Sequence, residues 1–194
     1  MQSYTVKGLP AFEAGQALSY RAAQADDLSN YLTAYKDGDE NTIVNTLKTA
    51  FSVAVKWRDE ATTTATDNGT RPTADDYTGY LTLYRKSTQP GDKEETMDTA
   101  SIQVSESAIS AAGLPAYDAL GYPYEYYVVQ NGELSQNTEL GAYKAEVINA
   151  ASHGSETVKA FDGATIVNTI TGKTYFAINK VWVDGGRPAD ERPD

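Results

Sequence analysis

The chain has 194 residues, 40% of them hydrophobic, and a net charge of −11 at neutral pH. That is enough apolar material for a packed domain with additions, and the acidity leaves no basic stretch to displace counterions from a nucleic acid. Cysteine is absent, which excludes disulfides, thiolate catalysis and thiolate-held metal, and no apolar run reaches the length of a bilayer span.

In chain order, MQSYTVKG lacks the apolar centre of a secretory signal, so an exported protein would carry its leader elsewhere. Residues 8–24, GLPAFEAGQALSYRAAQ, read as Gly-Leu-Pro-Ala-aromatic-acid, a turn, then Tyr-x-x-x-Gln ending at Gln24. Ala-Tyr-Lys follows at 34–36, then NTIVNT at 41–46, a β-branched run that closes on Asn45. FSVAVKW at 51–57 alternates Phe51, Val53, Val55 and Trp57 against Ser52, Ala54 and Lys56, the pattern of a strand with one buried face. Residues 59–76, DEATTTATDNGTRPTADD, read as a solvated loop. Its Asp59, Glu60, Asp67, Asp75 and Asp76 are carboxylates of the kind calcium gathers, but their spacing fits no EF-hand.

YTGYLTLYR at 77–85 is a second alternating strand and STQPGDKEE at 87–95 a turn. Residues 108–119 are expected to hold one helical turn. GLPAYDALGYPYEYYVVQ at 113–130 ends in a strand and in Gln130; Ala-Tyr-Lys returns at 142–144; His153, the only histidine, is a loop residue; and ATIVNTI at 164–170 is the closing strand, with Asn168. YFAINKVW at 175–182 again ends in Trp. The DNG and DGG triplets at 67–69 and 184–186 are turns, since no strand-glycine-helix context surrounds them. Many short strands with regular turn signals predict a sandwich or a partly open barrel, in which the 14 tyrosines serve chiefly as core and cross-strand packing.

The order of these segments repeats. Gly-Leu-Pro, Tyr-x-x-x-Gln, Ala-Tyr-Lys, Thr-Ile-Val-Asn-Thr, Trp and an Arg-Pro pair (Arg71-Pro72; Arg187-Pro188 or Arg192-Pro193) occur twice in the same sequence. Only 48–171 contains every element. Residues 1–47 read as the C-terminal part of an earlier unit and 172–194 as the opening strand of a later one.

A Lys-x-Trp strand, an Arg-Pro pair, a Leu-rich strand, Gly-Leu-Pro, Tyr-x-x-x-acid and a final Thr-Ile-x-Asn-Thr, in that order, resemble the collagen-adhesin B-type (Cna B-like) repeat of Gram-positive surface and pilus proteins. The resemblance covers nearly the whole chain. It implies an all-β, immunoglobulin-like (prealbumin-like) sandwich strung in tandem as a stalk, extracellular and anchored to the cell wall. Many members of that family join a first-strand Lys to a last-strand Asn through a spontaneous isopeptide bond, helped by a buried acid. Burial lowers the amine pKa so that it attacks as a neutral nucleophile, and the protonated acid polarises the carboxamide while ammonia leaves.

The resemblance places Asn168 at the Asn position, Gln130 where the acid stands and Val55 where the Lys stands. In the first copy the corresponding positions are Gln24 and Asn45; in the following one, Lys180. Gln cannot relay a proton, so the complete unit is expected to lack the cross-link, with Gln130 and Asn168 a buried amide pair. A bulge that turned Lys56 inward is the alternative, giving an isopeptide-forming domain that uses Lys56 and Asn168. No nucleophile–base pair for turnover and no cofactor or metal site is expected.

The expected role is structural, with neighbouring repeats of the same protein as partners; a module that binds a host protein or glycan through a Tyr-rich face or acidic loops is the alternative. No nucleic-acid or membrane partner is expected. The incomplete ends would fray, complement each other, or join chains head to tail by strand addition.

Overall fold

The computed structural model describes residues 3–26, 28–59, 71–132, 134–137, 141–154, 156–171, 181–183, 185–186 and 188. Within them the backbone is mostly extended. The strands are β1 (Phe12–Glu13), β2 (Gln16–Ala17), β3 (Tyr31–Lys36), β4 (Asp39–Arg58), β5 (Leu81–Ser87), β6 (Glu95–Thr96), β7 (Gln103–Val104), β8 (Ala108–Pro115), β9 (Tyr124–Gln130), β10 (Leu134–Asn137), β11 (Gly141–Ile148), β12 (Lys159–Phe161) and β13 (Thr165–Thr171). One five-residue helix, α1 (Ala74–Thr78), stands before β5.

The larger sheet runs β10-β11-β13-β4-β8-β7, with β3 added to β4, and the smaller runs β12-β9-β5-β6. Phe51, Val53 and Val55 of β4, Ile109 of β8 and Ile166 of β13 pack against Leu81 and Leu83 of β5 and Val128 of β9. The fold is thus an all-β sandwich closed around side chains that alternate along each strand. Among the described residues, neighbouring strands are antiparallel except one pair: β13 runs parallel to β4, with Thr165 opposite Ala54 and Thr169 opposite Arg58.

Two segments depart from the sequence reading. Residues 77–80 are not strand. Thr73 caps α1, its hydroxyl accepting from the Asp76 N–H and donating to the Asp76 carboxylate, so the turn wins over the alternation of YTGYLTLYR and the strand starts at Leu81. Residues 108–115 are not helical but form β8, because Ile109 and Ala111 alternate into the core against Val53 and Phe51. The pairing of β8 with β4 slips between Thr49 and Ala50, leaving Gly113 as the extra residue. Its φ of 70° is the left-handed value a glycine bulge requires, which explains the first letter of Gly-Leu-Pro.

The two copies make the same local structure. Gly8 also has a left-handed φ, of 77°. The Tyr20 hydroxyl donates to the Pro10 carbonyl at 2.6 Å, and the Tyr126 hydroxyl to the Pro115 carbonyl at 2.6 Å. The Leu18 N–H reaches the Ala11 carbonyl, as the Tyr124 N–H reaches that of Ala116. β3 pairs with β4 as β11 pairs with β13, Thr33 opposite Asn45 and Ala145 opposite Asn168.

No turn separates the copies. β4 is one strand of 20 residues; it pairs with β3 through Leu47 and with β8 from Lys48 onward. The boundary between 47 and 48 read from the sequence therefore lies inside a continuous strand, where its pairing partner changes. Across it the Lys48 N–H donates to the Asn30 carbonyl and the Ala116 N–H to that of Leu47.

Candidate functional site

Asn168 shares a face of β13 with Ile166, which is why an amide ends up with no solvent exposure. The last residue of β9 brings Gln130 to it, and α1 brings Tyr77. The Tyr77 hydroxyl donates to Gln130 Oε1 at 2.8 Å. Gln130 Nε2 donates to Asn168 Oδ1 at 2.9 Å. Asn168 Nδ2 donates back to the Tyr77 oxygen at 3.2 Å. Each group gives one hydrogen bond and takes one, so the three close a ring in which every bond polarises the next. Burial pushes the Tyr77 hydroxyl up to about 12, so it remains a neutral donor throughout the physiological range.

The amine position is apolar. Val55 is buried beside Ile166, and Asn168 itself lies opposite Trp57. Lys56 is exposed and opposite Val167, on the other face of the sheet from Asn168. Pairing runs without a break from Ala54 to Arg58, so the bulge that would turn Lys56 inward is absent, and the alternative built on Lys56 and Asn168 fails on geometry. Lys180 lies outside the described residues. In the incomplete copy, Gln24 Nε2 donates to Thr33 Oγ1 at 3.3 Å and Thr33 donates to Asn45 Oδ1 at 2.7 Å. The glutamine–asparagine link recurs there through a threonine, at the surface.

Trp57 roofs the ring. Its indole meets Tyr77 edge-on at 5.5 Å and Tyr143 at 5.0 Å, and its N–H donates to the Glu106 carbonyl. The Arg71 guanidinium sits 5.6 Å from the indole centroid and pairs with Asp59, whose carboxylate also accepts from the Tyr143 hydroxyl at 3.0 Å. Both charged side chains are largely buried, at 11% and 6% exposure. Asp59 is therefore not a solvated loop residue as the sequence suggested, but an anchor for the chain leaving β4. Among the described residues no group of three or more His, Asp or Glu side chains is gathered as metal ligands; Glu60 and Asp67 lie outside them. His153 stacks on Phe161 at 4.0 Å.

The ion pair has a pH signature. The Arg71 hydrogen bond, helped by that of Tyr143 against the cost of burial, holds the Asp59 carboxyl below its usual value. A depressed folded-state pKa contributes stability that is complete above the unfolded value of about 3.8 and is lost as pH falls through the folded one. Arg71→Ala is expected to cost about 3–5 kcal/mol at pH 7, because it strands a buried charge, and to remove most of that acid-side loss. Denaturant titrations of both proteins between pH 2 and 7 read this; parallel acid limbs would contradict it.

Tyr77 and Arg71 are the participants that the sequence reading missed. The Thr-Ala-Asp-Asp capping pattern at 73–76 was the available signal for the helix that carries Tyr77. Searches of family models, curated proteins and solved structures found no match to the chain.

Proposed function

We propose that this chain is a load-bearing segment of tandem sandwich repeats, of the immunoglobulin-like collagen-adhesin B type, in an extracellular Gram-positive surface or pilus protein. Its complete unit is held without a covalent cross-link and performs no enzymatic turnover. The parallel pairing of β13 with β4 is the observation that carries this reading. The unit is entered along β4 and left along β13. Tension on the two ends then slides adjacent parallel strands past each other, and the hydrogen bonds between Thr165–Thr169 and Ala54–Arg58 load together instead of peeling one at a time. The amide ring lies on that seam and leaves the amide of Asn168 neither an amine to join nor an acid to help.

Pulling single full-length molecules from both ends tests it. We expect a high-force rupture followed by a length gain of about 40 nm, the extended length of residues 48–171 at roughly 3.5 Å each. Low-force unravelling would contradict the load-bearing role. A gain cut to a small fraction of that length, with one ammonia missing from the intact mass in denaturant, would reveal a cross-link.

A second reading, a binding module for a host protein or glycan, is favoured by Tyr117, Leu120 and Tyr122. All three are exposed on the loop between β8 and β9. Retention on a glycan or matrix-protein array that Tyr122→Ala abolishes would support it.

A further inference from the structure

Two hydrogen bonds hold the residue that follows Gln130. The Asn131 N–H donates to the Tyr80 carbonyl at 2.7 Å, and Asn131 Nδ2 donates to Thr82 Oγ1 at 2.7 Å. The chain then turns at Gly132, whose φ is 71°. Both residues are exposed. The Gly132 N–H makes no hydrogen bond to a described residue. Beyond the chain neighbours, no heavy atom lies within 4 Å of where a Cβ on Gly132 would stand. A carboxamide carbon is thus followed by a backbone nitrogen that is unshielded and open to water.

We propose that Asn131-Gly132 is a self-modification site, at which the asparagine converts through a cyclic imide to aspartate and isoaspartate, and that the Thr82 hydroxyl restrains the reaction. The Gly132 nitrogen gives its proton to a water-borne base and attacks Cγ of Asn131. The N–Cγ bond forms, the Cγ–Nδ2 bond breaks, and Nδ2 takes up a proton and leaves as ammonia. Water then opens the imide. Opening at Cγ gives aspartate; opening at the backbone carbonyl gives isoaspartate, whose main chain runs through Cγ. One ammonia is released and one water consumed, nothing is oxidised or reduced, and the unit gains one negative charge. Glycine permits the close approach of its backbone nitrogen to Cγ that a Cβ would crowd.

The site is specific to this turn. Among the described residues every other asparagine precedes a residue with a side chain: Tyr31, Thr42, Thr46, Thr138, Ala150 or Thr169. Asn68-Gly69 lies outside them. The first copy has Gln24-Ala25-Asp26 where the complete one has Gln130-Asn131-Gly132, so it has no such pair to react. All the rearranged bonds lie beyond Cα of residue 131. Its N–H therefore keeps the Tyr80 carbonyl in either product, and Gln130 stays in the amide ring.

The modification does not depend on the load-bearing role, but it bears on how a missing ammonia is read. The cyclic imide also lacks one ammonia. Hydroxylamine cleaves the chain at such an imide and leaves a lysine–asparagine amide intact, so it tells the two apart.

Peptide mapping by mass spectrometry of the full chain, sampled during incubation in mildly alkaline buffer, tests the proposal. The free peptide of residues 127–135 is incubated beside it. The fragment spanning Asn131-Gly132 is expected to lose ammonia, gain water and separate into two isomers, the isoaspartyl form in excess. Hydroxylamine should cut early samples between 131 and 132. Asn131→Gln, whose imide would need a larger ring, should stay unmodified at that position. Thr82→Val removes the tether on Nδ2 and should speed the conversion about two- to tenfold, the worth of one hydrogen bond. An Asn131 still intact when the free peptide has fully converted, or equal rates in the parent and Thr82→Val, would each overturn the proposal.

Discussion

Asn168→Ala is expected to destabilise the sandwich by about 3–5 kcal/mol, one of the largest effects of any single substitution in this chain. The deletion removes two hydrogen bonds and leaves a small void. More costly, it leaves Gln130 Nε2 without its acceptor and the buried Tyr77 without its donor. An unpaired buried polar group costs about 1–3 kcal/mol, whereas removing all partners together is nearly neutral. The triple variant Tyr77→Phe, Gln130→Leu, Asn168→Leu should therefore lie within about 2 kcal/mol of the parent, more stable than Asn168→Ala alone. Guanidinium unfolding midpoints at constant slope measure both. A loss below about 1 kcal/mol for Asn168→Ala, or additive losses across the three sites, would show that the ring does not act as a unit.

Val55→Lys combined with Gln130→Glu is expected to produce a covalently closed unit. Val55 lies on the core face two residues before Trp57, and Asn168 lies opposite Trp57 in the adjacent strand, so an amine at 55 is a diagonal neighbour of the carboxamide. Burial lowers the pKa of that amine and raises that of the new acid, which supplies a neutral nucleophile and a proton donor together. The lysine nitrogen attacks Cγ of Asn168, an amide bond forms, and the nitrogen of the side chain departs as ammonia. Intact mass in denaturant should fall by one ammonia. Val55→Lys alone should keep full mass and lose stability by burying an amine that has no acid beside it. Full mass in the double variant would mean that position 55 is not the amine's place and would falsify the assignment of Val55 to it.

Much of the site was legible because the chain states it twice. Asn45 and Asn168 close identical Thr-Ile-Val-Asn-Thr runs, and Gln24 and Gln130 end equivalent Tyr-x-x-x-Gln segments. The alternation of FSVAVKW placed Val55 inside and Lys56 outside, as the structure has them. What stayed hidden depends on contacts that no periodicity encodes. Tyr77 reads as the first residue of an alternating strand until the Thr73 cap, a local competitor, takes it into a helix. Arg71 and Asp59 stand 12 positions apart in the sequence, and their pairing shows only in the folded chain. Strand register misled as well. Matching Ala-Tyr-Lys at 34–36 with 142–144 is off by four, since pairing with the asparagine strands makes Tyr31 the counterpart of Tyr143. A short motif marks which strand is present, but the partner strand decides how far it has slid.

The strand shared between copies also sets how an array of such units would bend. A flexible linker lets adjacent beads swivel, and the assembly then coils and shortens under thermal agitation. Here the backbone crosses from one bead to the next without leaving the pleat, so bending at the joint must tear a ladder rather than rotate a loose bond. In such an array successive beads would inherit a fixed azimuth from the strand's own right-handed twist, and its reach would grow in direct proportion to the number of copies.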